Sequence, residues 1–174
     1  MTIYSGRYAA EIEGDFVVFI IGMRVNKLFA IHKWLPVFKA MDPMIKELYM
    51  NRDLGFLGIE FFFSWRGVTL LQYWKSYEQL ESYARGGIHL EAWKHFNKSI
   101  GTDGTVGIYH ETYKVQANMY ECIYGNMPKF GLAKVSNHIP AVGRMETSRR
   151  RMGGNNEPAV ATPENPKLDK TKIK

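Results

Sequence analysis

Cysteine is almost missing from this sequence. Cys122 is the single thiol among 174 residues, so no disulfide can form within the chain. That usage suits a reducing compartment, and a cytoplasmic location is expected. Long apolar runs are missing as well. The longest, Phe16 to Met23, is far short of the ~20 residues a helix needs to cross a bilayer, so no membrane span is expected. The first fifteen residues lack a basic start followed by an apolar stretch, so no secretory leader is expected. The carboxylates show no paired metal-ligand spacing. Gly101-Thr102-Asp103-Gly104-Thr105 reads as a turn and not a phosphate loop, because no strand feeds a helix there. No internal repeat is present.

The net charge of +6 is unevenly spread. Residues 144–174 hold eight Lys/Arg against four Asp/Glu, which leaves the other 143 residues close to neutral. A body so nearly neutral offers no footprint for a phosphate backbone, so no nucleic-acid partner is expected. The C-terminal stretch is poor in apolar residues and holds Gly153-Gly154, Pro158, Pro163 and Pro166. It reads as a disordered basic tail over 141–174. Arg149-Arg150-Arg151 and the last lysines could touch an acidic surface, or simply solvate the tail.

What is abundant is apolar and aromatic: hydrophobic residues make up 45% of the chain and aromatics 14%. That supports one globular domain over 15–140, after a leader of 1–14. Phe16 to Val25 is β-branched and aromatic on both faces, a strand buried on two sides. Asn26 can cap a helix from Lys27, with Leu28, Ile31, Leu35 and Phe38 along one stripe. Pro36 should bend it, and Asp42-Pro43 marks a second start. Phe56 to Trp65 and Val68 to Trp74 read as strands around an Arg66-Gly67 turn. Ser76 caps the next helix, which Gly86-Gly87 interrupts. His89, Trp93, Phe96 and Ile100 then continue a stripe that ends at Gly101. Gly104 opens a strand through His110, and Asn118 to Tyr124 reads as a last strand.

This order is the ferredoxin-like βαββαβ pattern of an α+β protein, with an added C-terminal strand. Its strands offer apolar residues to both faces: Val17, Phe19 and Ile21 against Phe16, Val18 and Ile20, and Leu57, Ile59, Phe61 and Phe63 against Phe56 and Phe62. Helices cover one face. The other would stay bare unless a second copy covers it, so a homodimer closing a dimeric α+β barrel is expected.

Four stretches carry a family likeness: Asp15 to Lys27, Gln72-Tyr73-Trp74-Lys75-Ser76, Gly107 to Tyr113, and Tyr120 to Pro128. Through them the body, about residues 4–135, resembles the small monooxygenase-like dimeric α+β barrel proteins of secondary-metabolite tailoring. A narrower likeness covers residues 73–132. Tyr73 to Glu81, His89 and Tyr109-His110-Glu111 are similar to the C-terminal half of haem-containing aldoxime dehydratases. That resemblance implies an axial haem histidine at His89 and a distal catalytic histidine at His110. Gly86-Gly87 replaces the His-Pro pair of that family, and its N-terminal half has no counterpart here.

The residues can be weighed beside the resemblance. His89 and His110 stand 21 positions apart, one on a helix and one on a strand, both on apolar faces. A haem needs an axial imidazole, an apolar slot and partners for its propionates. His89 would ligate the iron, with Trp93 and Phe96 lining the slot. Gly86 and Gly87 would let the porphyrin edge approach, and Arg24 would meet a propionate. His110 would act as pocket acid/base, beside Ile108 and Thr112 and with Trp74 as a further wall. Each histidine could equally be a core imidazole bonded to a carbonyl. The tryptophans could be plain core, and His95 is expected to face out. Three functions follow: a small-molecule oxidoreductase of the monooxygenase-like type acting on a small hydrophobic molecule, with haem or cofactor-free; a haem-dependent aldoxime dehydratase-like lyase; or a non-enzymatic dimer that binds haem or another small ligand.

Overall fold

The computed structural model describes residues 1–155 and divides into two units: residues 16–114, and residues 1–15 together with those from 115 on. In chain order the strands and helices are β1 (Tyr4–Glu11), β2 (Phe16–Val25), α1 (Ile31–Lys39), α2 (Met41–Met50), β3 (Phe56–Ser64) and β4 (Gly67–Trp74). Then come α3 (Tyr77–Ala84), α4 (Gly87–Ser99), β5 (Val106–Val115), β6 (Tyr124–Met127), β7 (Asn137–Pro140) and α5 (Ser148–Arg151).

The larger unit is the expected ferredoxin-like βαββαβ arrangement, with each helical connection split in two. Its sheet runs β3-β4-β2-β5. Antiparallel pairing sets Val17 opposite Trp74, Phe19 opposite Gln72, Ile21 opposite Leu70 and Met23 opposite Val68. Side chains alternate across a strand, so these residues share one face. They form the core with Leu48 of α2, Leu80 of α3 and Ile100 beyond α4. Trp74 is fully buried, and its indole N–H donates to Gln72 Oε1 at 2.9 Å. The opposite face carries Val18, Ile20, Leu71, Phe62, Tyr109 and Tyr113, with the last two about half exposed. There Tyr109 lies over Gly22, where a Cβ would come within 2.5 Å of its ring. Its hydroxyl sits 2.5 Å from Thr69 Oγ1.

Local chemistry explains where the elements depart from expectation. The first helix begins at Ile31 rather than Lys27. The backbone N–H groups of Asn26 and Lys27 still donate to Thr105 O, and Asn26 Nδ2 donates to Gly104 O, so Asn26 is tied to the approach of β5 and caps nothing. Phe56 joins Ile59 in the core, although simple alternation puts them on opposite faces, because the β3–β4 register shifts between Phe56 and Gly58. Ser76 caps α3 as expected, its Oγ accepting from the Gln79 N–H at 3.2 Å.

The smaller unit is a three-stranded sheet ordered β6-β1-β7. Residues 4–11 form its central strand, within the stretch expected as a leader. The strand expected at Asn118–Tyr124 does not form. Asn118 takes a left-handed φ of 64°, and side chains rather than a backbone ladder tie this stretch to β1 and the residue after it: Tyr120 Oη accepts from the Ile12 N–H at 2.8 Å, and Cys122 Sγ from Ala10 N–H. The added strand is β6, later in the chain. Within the stretch expected as a tail, residues 148–151 form α5, capped by Thr147, and Arg151 ion-pairs with Glu121. The final lysine-rich run lies outside the described residues.

Candidate functional site

Helices α1 to α4 and the core face of the larger sheet enclose a cavity of about 550 Å³. Its wall is mostly apolar, with Phe19, Ile21, Val37, Met41, Met44, Ile45, Trp74 and Leu80 among the lining groups. Unbranched methionines fill irregular space and repack readily. Such a cavity takes a molecule of small-ligand size.

His89 and His110 both line it. They arrive from different elements, a helix and a strand, as the residues around each suggested. His110 lies on β5 with Ile108 and Thr112, at positions of one parity, and all three are in the wall. Its ring is exposed and stands 5.7 Å from that of Phe19. His89 lies in the first turn of α4. Gly86 is extended at the helix start and Gly87 has φ +50°, which α3 could not continue through, and this break brings His89 back beside the end of α3. His89 Nδ1 is 2.9 Å from Ala84 O. A carbonyl only accepts, so Nδ1 carries the proton and Nε2 is left as the basic nitrogen.

The cavity wall also contains Trp93, Phe96 and Trp74. Trp93 and Phe96 stack at 5.6 Å, and Trp93 is 46% exposed, so it stands at an open rim and not in the core. Gly86, Gly87 and Arg24 are not in the wall. Arg24 is exposed and pairs with Gly67, on the parity opposite to Met23. His95, expected to face out, is exposed and also reaches the rim.

Several polar groups were not foreseen. Gln72 is buried on the core face, and a polar residue between Leu70 and Trp74 at inward parity was a signal for it. Tyr83 packs its ring 5.5 Å from His89 and donates its hydroxyl to Met44 O at 3.2 Å. Burial, with the Glu47 carboxylate beside it, holds this hydroxyl well above the ordinary phenol range, so Tyr83 stays a donor. Glu47 Oε2 is enclosed without a hydrogen-bond partner. These belong to contacts between helices, which spacing within one helix does not reveal.

The His89 geometry fits an axial ligand. Metal-bound histidines commonly donate their other ring N–H to a backbone carbonyl, which fixes tautomer and orientation, and Ala84 O supplies that bond. The propionate side fits less well. Arg24 is elsewhere, and Arg85, which does line the cavity, is ion-paired to Glu81 at 2.7 Å. No group of three or more metal-ligating side chains occurs among the described residues.

Residues 16–132 match the model of a family described as monooxygenase af470-like. Monooxygenase af470 of Aspergillus fumigatus is 30% identical over 126 residues, covering 66% of this chain and 44% of that protein. The chain thus spans less than half the length of that relative. Among solved structures, SnoaB of Streptomyces nogalater, a cofactor-independent oxygenase, overlaps 57% of this chain and 91% of its own, at 10% identity and a TM-score of 0.41. A dimeric protein of unknown function with a ferredoxin-like fold from Bacteroides fragilis overlaps 57% and 95%, at 14% identity and a TM-score of 0.43.

Proposed function

The chain belongs to the monooxygenase af470-like family, and from that premise we propose that it is a small-molecule monooxygenase whose substrate occupies the cavity over residues 16–114. The observation that carries this reading is one apolar cavity with two histidines from separate elements in its wall. An apolar molecule with an acidic C–H or phenolic group suits it. His110 takes a proton from that group, since the unprotonated nitrogen of a neutral imidazole is a proton acceptor. In the cofactor-free form the substrate itself supplies the electrons. A methylene carbon loses two hydrogens and gains one oxygen atom from dioxygen, and the other atom leaves as water with those hydrogens. Trp74, Phe19 and Leu70 hold the substrate and exclude bulk water.

A second reading places haem in the cavity, favoured by the His89 Nδ1–Ala84 bond that leaves Nε2 as a ligand. When bound, haem would supply an iron centre for oxygen or N–O chemistry, and His89, Trp93 and Phe96 are the residues that would hold it. The open face of the sheet also supports a homodimer, since Phe62, Tyr109 and Tyr113 are exposed there.

The test is turnover of an enolisable tricyclic ketone such as anthrone under isotopically labelled dioxygen. One labelled oxygen atom per product is expected, with the rate falling about 10²–10⁴-fold in His110→Ala. An unchanged rate in that variant would remove His110 from the chemistry. Haem supplementation decides the second reading: a Soret band present in the wild type and in His110→Ala, and lost in His89→Ala, supports it. Aldoxime dehydration by that haem form would favour a lyase. Haem binding without turnover would leave a carrier.

A further inference from the structure

We propose that one end of the larger sheet, formed by the β2–α1 connection and the β3–β4 hairpin, docks on the surface of an anionic membrane. Large apolar side chains stand out in solvent there: Phe29 is 99% exposed, Trp65 85% and Phe63 74%. Five consecutive residues, Phe61 to Trp65, are exposed, and four of them are aromatic. Isolated exposed apolar residues are ordinary, but a contiguous group marks an interaction surface.

The two segments form one built surface. Val25 N–H donates to Arg66 O at 2.7 Å, and Arg66 Nη1 reaches Asn26 O at 3.4 Å. The connection that lifts Phe29 into solvent is held at both sides. Ala30 N–H donates to Lys27 O at 3.1 Å, and Trp34 Nε1 donates to Leu28 O at 2.9 Å. Phe29 is therefore presented by a fixed turn.

Charge selects the occupant. Residues 16–41 and 61–77 contain no Asp or Glu. Arg24, Lys27 and Arg66 lie in these segments, beside the aromatics, and Arg24 and Lys27 are exposed. Lys33 is neutralised by its ion pair with Asp103. Aromatic groups flanked by Arg24, Lys27 and Arg66, with the neighbouring Asp103 carboxylate held by Lys33, match a bilayer surface. There Trp settles at headgroup depth, Phe enters the acyl boundary, and Lys or Arg meets anionic headgroups. A second copy laid on the open face of the sheet would cover Phe62 but does not account for Phe29, Phe63 and Trp65. Phe63 pairs with Val68, a core residue of the helix-bearing face. Trp65 and Phe29 lie in connections outside the strands. Helix α1 starts just after Phe29 and carries Pro36 and Val37 into the cavity wall, so the docking end and the apolar cavity share an element.

The experiment is sedimentation of the full chain with vesicles of phosphatidylcholine alone and of phosphatidylcholine mixed with phosphatidylserine. Binding is expected to the mixed vesicles, weakening as salt rises. The double variant Phe29→Ser/Trp65→Ser should bind them at least about tenfold less, and Arg24→Gln/Lys27→Gln should lose the preference for phosphatidylserine. All four side chains are exposed, so circular dichroism of the variants should match the wild type. Wild-type protein left in the supernatant with mixed vesicles overturns the proposal. Equal sedimentation of the Phe29/Trp65 variant also overturns it, and assigns binding to the basic C-terminal stretch instead. A fall from dimer to monomer in that variant, seen by light scattering without vesicles, assigns the surface to a second copy. None of these readings involves turnover, so they stand apart from the fate of the monooxygenase reading.

Discussion

The two units of this chain use similar ingredients to opposite ends. In the larger unit, His89 and His110 sit among Trp74, Tyr83, Trp93 and Phe96 around an open volume of about 550 Å³. In the smaller, His138 is packed against tyrosines: Tyr8 stacks on it at 4.6 Å, and Tyr4 and Tyr124 meet it edge-on at 4.7 and 5.9 Å. Both of its ring nitrogens are enclosed without a hydrogen-bond partner. The hollow beside Cys122 and Tyr120 in that unit measures about 10 Å³, room for about one water molecule. The difference comes from layering. Helices standing off a sheet on long methionine and aromatic side chains leave space. Strand against strand, floored by Ala9, Ala133 and Ala141 with no exposed surface, leaves room for about one water. A histidine among aromatic rings is therefore a candidate for chemistry only where the elements around it keep apart.

Removing bulk should strike hardest where a single large side chain separates cavity from core. Trp74→Ala is expected to cost about 3–5 kcal/mol, read from urea unfolding. A loss below ~1 kcal/mol would mean that the cavity wall does not depend on this ring. Adding bulk should divide the units. Ala9→Leu, in the tight one, should cost about 1–3 kcal/mol by overpacking. Ala92→Leu, which points new methyl groups at the cavity from α4, should cost less than ~1 kcal/mol and weaken binding of an apolar ligand. Equal costs would erase the contrast.

The smallest effect concerns pH. Burial, and secondarily Lys129, lowers the His138 pKa below its usual 6.5. The unfolded chain then holds the proton more readily than the folded one. The contribution of His138 is complete above about pH 6.5, falls as pH drops through that value, and levels off below the folded-state pKa. His138→Phe should flatten this slope in urea midpoints taken from about pH 8 to about pH 5. An unchanged slope would mean that the ring is solvated.

Much of the larger unit was legible because its signals are local. Strand alternation from Phe16 to Val25, the Ser76 cap and the Gly86-Gly87 break each follow from a few neighbouring residues. That His89 and His110 could line one cavity was readable once those elements were placed in ferredoxin-like order. Arg24 was harder: its strand continues through it, so alternation turns it to the far face. The smaller unit was nearly silent. β6 and β7 are four residues each and distant in sequence from β1, and their pairings, such as Tyr8 with Tyr124 and with Pro140, leave no periodic trace.

By itself, the order of residues determined most strands and helices of residues 16–114 and which faces are apolar, and it marked His89 and His110 as residues that could line one cavity. Periodicity and capping act over a few residues, so they survive in one dimension. Tertiary structure decided the rest: that α1 to α4 stand off far enough to leave a cavity, that His89 is oriented by Ala84, that Glu47 flanks Tyr83, and that β1 is a strand at all. Each of these depends on how far apart two packed elements settle, a distance set by many side chains at once and written in no single stretch of the chain.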